Sequence, residues 1–210
     1  MMKWRFLPIL GVALSVILFV FAALSYPGGN EWDTTEAGFH ITKNYVSALF
    51  QPSAINGAPN TARAFAIPAM LALCVSLAFM FWAISRQTES RTTRKSVEIG
   101  GIGAMVYTLL GVLTRMHDLL VMIAAVFFGV AAVAMIFSLH KAQRSWVALI
   151  GLLCFTLLVA LGAMRNGFIP GLAPITEWLL FAATATWVLL SYTASSPNSS
   201  FKPKPLRGSA

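Results

Sequence analysis

Few residues in this chain are equipped for chemistry: of 210, only 10% are charged and three are histidines. His40 follows an acidic stretch, Asp33-Thr34-Thr35-Glu36, and His117 is followed directly by Asp118. An imidazole within hydrogen-bond reach of a carboxylate is the usual general base with its orienting partner. On that pattern, His40 or His117 would take the proton and Asp33 or Asp118 would hold the ring. The same residue types can bind zinc, with His40, His117 and Asp118 as the ligand candidates. However, the chain has no His-x-x-His, His-x-x-x-His or His-Glu-x-x-His spacing, and His140 lies beyond another apolar run. Ligand spacing is the main sequence signal for such a site, so no metal and no cofactor is expected. A Gly-x-Ser-x-Gly elbow and a phosphate-cradling loop are both missing from the sequence.

The other polar candidates are of the binding kind. Glu36, Lys43, Asn44 and Ser47 recur with His40 at helical spacing, while Arg115, Arg165, Asn166 and Glu177 stand at the ends of apolar runs. Each has a simpler role available. Asp118 fits the N-cap of a helix, Arg115 the carbonyl end of the preceding one, and the stripe a face that is merely wet.

Apolar runs must position these groups. The sequence is 58% hydrophobic with a mean hydropathy of +0.75, whereas a soluble domain carries about a quarter charged residues. Six runs, at about 6–24, 64–84, 97–113, 119–139, 146–164 and 175–192, have the length of a spanning helix, roughly 20 residues. The expected fold is therefore all-α: a polytopic membrane bundle of six transmembrane helices spanning 1–194. Ala23-Leu24-Ser25 resembles a signal-peptidase site, but the first run is longer than a signal core and is read as a retained span. Cys74 and Cys154 fall mid-run and read as small packing residues. Gly100-xxx-Ala104 and Ala125-xxx-Gly129 allow close helix approach. No charge sits at the centre of a run, which weakens an ion-relay or coupled-transporter reading.

The net charge of +8 is distributed by topology and does not form a nucleic-acid patch. With the N-terminus inside, Lys3, Arg5, Arg86, Arg91, Arg94, Lys95, Lys141, Arg144, Lys202, Lys204 and Arg207 are cytoplasmic. Lys43, Arg63, Arg115 and Arg165 are outside, which accounts for all 15 basic residues. The positive-inside rule is obeyed in every segment. Trp4, Trp82, Trp146 and Tyr192 mark the inner interface, and Tyr26 and Trp178 the outer one. The Ser- and Pro-rich stretch 195–210 reads as a disordered basic cytoplasmic tail.

Only one connection is long. The outer loop 25–63 contains Pro27-Gly28-Gly29, Pro52, Gly57 and Pro59, and Asp33 to Glu36 has the form of a capping box. An amphipathic helix over 34–50, stopped by Pro52, is expected to lie across the outer face. Five of the seven acids, two of the three histidines, Asn44 and Asn166 then share one membrane side. In that arrangement His40 and His117-Asp118 are expected to converge at the outer mouth of the bundle.

Several short motifs carry a resemblance: Tyr26-Pro27-Gly28, His40, Ser47-Ala48-Leu49, Asn60 with Phe65, and His117-Asp118. On them the chain resembles the bacterial six-span membrane family designated domain of unknown function 998, and more distantly the Frag/DRAM/Sfk-type membrane proteins. The resemblance covers the six spans and implies the fold and the outer cluster, without implying a reaction. The expected function is that of a bacterial inner-membrane protein with a polar extracytoplasmic site, binding lipid headgroups or a small amphiphile or acting as an accessory subunit. Membrane lipids are the expected partners, and a protein partner or homo-oligomer is left open. The rivals are a membrane-embedded hydrolase or transferase using a His–carboxylate pair, and a small transporter.

Overall fold

The apolar runs fold as their length requires. In a computed structural model describing residues 5–194, six helices are long and apolar enough to cross a membrane. They are α1 (Leu7–Leu24), α2 (Arg63–Ser85), α3 (Arg91–Leu113), α4 (His117–Lys141), α5 (Ser145–Arg165) and α6 (Ala173–Ala194). Lys3, Trp4 and the expected tail 195–210 lie outside the described residues. α3 begins earlier than its apolar run. Ser90 caps it by accepting from the Thr93 N–H at 3.4 Å, so its first turns carry Arg91, Arg94 and Lys95. A helix can start before its apolar stretch does, because a cap and a basic turn are at home outside the hydrocarbon.

Exposed residues along the helices include Leu14, Val75, Val126 and Leu149. In water such a surface would drive aggregation, whereas in lipid it meets its solvent. Between helices, small residues set the spacing. A Cβ on Gly100 would lie 2.8 Å from the Phe127 carbonyl oxygen, and the Gly101 position is filled by the Phe81 ring. Close backbone approach of this kind is how helices associate where no hydrophobic drive separates them from lipid. Neighbouring helices pack in sequence from α2 to α6, and α6 returns to α2, so five helices close a ring, while α1 packs along the outside of α2.

The long connection departs from expectation. Residues 34–50 do not form an amphipathic α-helix; the only helical piece of 25–62 is a 3-10 turn at Val46–Phe50. Side chains outbid the helix for the backbone. The Asp33 carboxylate accepts from both the N–H (2.8 Å) and the hydroxyl (2.7 Å) of Thr35. It thus closes a local turn and caps no helix. Asn30 Oδ1 accepts from the N–H groups of Trp32 and Asp33, both at 3.0 Å. Gly38 then takes φ +76, a conformation that ends any regular helix. Gly28 and Gly29 also have positive φ, and the Gly29 N–H donates to the Glu36 carbonyl at 2.7 Å, folding the segment back on itself.

This folded segment docks on one end of the bundle, called here the loop face. Phe39 packs edge-on to both Tyr26 and Trp178, and Phe19 packs edge-on to Trp178 and Phe50. Asn60 donates to the carbonyls of Ala48 (3.0 Å) and Gln51 (2.9 Å), and Trp178 Nε1 donates to that of Asn44 (3.1 Å).

Candidate functional site

The ring of helices does not close completely. Between α2, α3, α4, α5 and α6 lies a cavity of about 590 Å3, within the range of about 300–1,000 Å3 usual for small-ligand sites. Its walls come from the half of each helix nearest the loop face: Met70 to Leu77 on α2, Ala104 to Val112 on α3, Leu180 to Thr184 on α6. α4 adds Val121, Ala125 and Phe128, and α5 adds Leu158 and Leu161. Almost all of this wall is apolar; Cys74, Thr108 and Thr184 are its few polar points. Val46, Ser47 and Phe50 of the 3-10 turn roof it at the loop face.

The polar lining gathers at that roofed end: Ser47, His117, Asp118, Arg165, Asn166 and Glu177. Short turns fix them there, since α3 and α4 are joined by three residues and Arg165 ends α5. Arg165 reaches across to α4, with Nη2 3.3 Å from Asp118 Oδ1, and its guanidinium carbon lies 5.5 Å from the centre of the Tyr45 ring. Burial pushes the Tyr45 phenol above its ordinary pKa. The ring therefore stays neutral at physiological pH and offers Arg165 its π face. Asn166 turns back to donate to the Gly162 carbonyl at 2.7 Å.

Glu177 is the least expected member. An acid in the first turns of a span would ordinarily reach for the headgroups. Here it is only 8% exposed and points inward, and its Oε2 accepts from the Val46 N–H at 2.8 Å. That bond fastens the roof to α6 and gives a buried amide its partner. The Ser47 N–H also acts on this carboxylate.

The two histidines part company. His117 lines the cavity, and its Nδ1 lies 3.1 Å from the Gly111 carbonyl. A carbonyl only accepts, so Nδ1 carries a proton, while Nε2 is buried without a hydrogen-bond partner. This ring and the Thr114 hydroxyl (3.0 Å to the Leu110 carbonyl) finish the end of α3. Arg115, expected in that role, is exposed and makes no such bond. Asp118 also differs from expectation. α4 begins at His117 with no side-chain cap; Asp118 sits in its first turn, 86% exposed, paired with Arg165. His40 does not line the cavity. It lies 44% exposed, with Nε2 3.3 Å from Glu36 Oε1. Of the two rings only that of His117 lines the cavity, and the helix expected to carry His40 across the face is absent. The ring partner of His117 is a backbone carbonyl, so no His–carboxylate pair faces the cavity.

Asp33, Glu36, Lys43 and Asn44 belong with His40 to the loop's own scaffold. Lys43 donates to both Glu36 oxygens at 2.8 and 2.9 Å, and Asn30 donates to the same carboxylate. The Lys43 ammonium holds the Glu36 carboxyl below its ordinary range, and the Thr35 hydroxyl does the same for Asp33. Asn44 is only 1% exposed. It donates to the Gly29 carbonyl at 2.8 Å and accepts from the His40 N–H at 2.9 Å. The polar stripe thus serves the loop, and the cavity takes only Ser47 from it. Among the described residues no three His, Cys, Asp or Glu side chains group as metal ligands.

Glu177, Arg165, Asn166, Ser47, His117 and Asp118 are legible as candidates in the sequence, whereas the walls and the roof are not. Thr108, Thr184 and Cys74 carry no signal in an apolar run, and Tyr45 and Phe50 look like any aromatic of an interfacial segment. Comparison of the chain with protein-family models, curated proteins and solved structures finds no match.

Proposed function

We propose that this protein binds one amphiphile, with its apolar tail in the shaft between α2 and α6 and its polar end beneath the roof at Ser47, Arg165 and Glu177. One observation carries the reading: a cavity of about 590 Å3 that is apolar along its length and polar at one end. Such a division matches a molecule that is itself divided, and binding sites of this size are commonly apolar with few placed polar groups. The cavity stops about halfway along the helices, so the polar end would sit at headgroup depth if the loop face is at the membrane surface. We further place the protein in a bacterial cytoplasmic membrane with both termini inside and the loop face outside. That placement rests on the distribution of Lys and Arg and on the resemblance to the six-span family.

Ala125 lines the shaft and has room in front of it. Ala125→Phe should fill the space without disturbing the ring of helices. Native mass spectrometry of protein released from lipid nanodiscs should show one retained amphiphile on the wild-type chain and its loss from Ala125→Phe. Equal retention by both proteins would mean that any bound lipid sits on the outer surface, and the reading would fail.

A further inference from the structure

The acidic and basic groups at the roofed end of the cavity do not balance. Two carboxyl groups, Asp118 and Glu177, stand there against one guanidinium, Arg165. Arg165 and Asp118 answer each other at 3.3 Å, and Arg165 also leans on the Tyr45 ring. Glu177 takes part in none of the four ion pairs among the described residues. Arg165 acts on it only from a distance. One buried carboxylate is thus left with amide partners on the roof and no cation in contact. A buried carboxylate without a counter-charge is costly unless it takes up a proton or gains a cationic partner.

Acceptors dominate the rest of that end. His117, with Nδ1–H committed to the Gly111 carbonyl, presents a ring whose remaining nitrogen can only accept while neutral. The Asn166 amide nitrogen is engaged at Gly162, which leaves its carbonyl oxygen. Phe50 and Phe181 line the same cavity, and aromatic rings can attract cations.

We propose that the polar end of the bound amphiphile carries an ammonium group, which Glu177 receives as its counter-ion. This rests on the amphiphile reading above and specifies its headgroup. The ammonium completes the charge pair, donates to the acceptors around it and lies against the aromatic wall. An anionic headgroup would instead meet a buried carboxylate. Two sources share this chemistry: a single-chain amine, and a phospholipid with an ethanolamine head, whose phosphate would fall to Arg165.

The test uses the full chain in nanodiscs of digalactosyldiacylglycerol, an uncharged bilayer lipid, at pH 8, where a primary amine is still charged. Native mass spectrometry of the released protein follows binding of dodecylamine, dodecanol, dodecanoate or dodecanoyl lysophosphatidylethanolamine, with Ala125→Phe showing what binds to the outer surface alone. Dodecylamine, the lysophospholipid or both should saturate the parent at concentrations at least tenfold lower than dodecanol or dodecanoate. Which of the two does so identifies the source of the ammonium. Glu177→Gln keeps one acceptor for the Val46 N–H and removes the charge. It should abolish the tenfold preference in protein that still unfolds cooperatively. If Glu177 served only to fasten the roof, Glu177→Gln would keep the preference of the parent. That result, or equal binding of all four compounds, overturns the ammonium proposal and leaves the amphiphile site standing. If none of the four binds the parent more than it binds Ala125→Phe, the amphiphile reading itself fails and the proposal falls with it.

Discussion

Asn44 is the bolt of the loop segment, and its removal has a calculable consequence. Its side chain bridges two stretches of irregular backbone, reaching the Gly29 carbonyl at 2.8 Å and the His40 N–H at 2.9 Å. The bond to Gly29 is buried, so Asn44→Ala leaves that carbonyl without a partner, a loss of about 1–3 kcal/mol. The bond to His40 is partly exposed, where water substitutes, and its loss costs about 0.5–1.5 kcal/mol. Together these come to roughly 2–4 kcal/mol. Because each 1.4 kcal/mol is tenfold, opening of the segment should rise by roughly 30- to 1,000-fold. Amide hydrogen exchange of nanodisc-embedded protein reads this directly, since local opening governs exchange in such segments. Faster exchange should be confined to residues 26–50, with the helices unchanged. Asn44→Asp should be as damaging as Asn44→Ala. It keeps the acceptor for His40 but sets a carboxylate oxygen against the Gly29 carbonyl. Unchanged exchange in 26–50 in the Ala variant would refute the assignment of Asn44 as the element that holds the loop together.

The lowered pKa of Glu36 gives the loop a pH dependence of definite sign. Its contribution is complete above the ordinary value of 4.5 and is lost as pH falls through the lowered value of the folded state. Exchange across 30–44, corrected for intrinsic rates, should therefore quicken below pH 4.5, and Lys43→Met, which removes the main cause, should flatten that rise. The proposed orientation predicts that alkaline phosphatase fused after Thr61 is active and that a fusion after Thr93 is inactive. The opposite result would put the cavity's roofed end in the cytoplasm.

The sequence by itself determined the six helices. A run of about 20 apolar residues has one low-energy form in hydrocarbon, because only a helix satisfies its own backbone there. Positions such as α2 and α5 needed no tertiary information, and the boundaries shifted chiefly where a polar cap extended the helix, as at Ser90. The polar end of the cavity was half legible. Arg165, Asn166, His117 and Asp118 stand at run ends joined by short turns, which leaves them little choice of place. Tertiary structure decided what no local pattern carries. The spacing of Glu36, His40 and Lys43 suits a helix, yet the same residues meet through a fold-back, because Asn30, Asp33 and Asn44 offer the backbone partners that a helix would have supplied. The position of Glu177 under the roof depends on an amide 131 residues away in sequence, and a bond of that separation leaves no trace in either local segment. The cavity belongs to the same class. It is the space that five apolar helices fail to fill, and it is set by how their side-chain volumes meet across the ring rather than by the order of residues along any one of them.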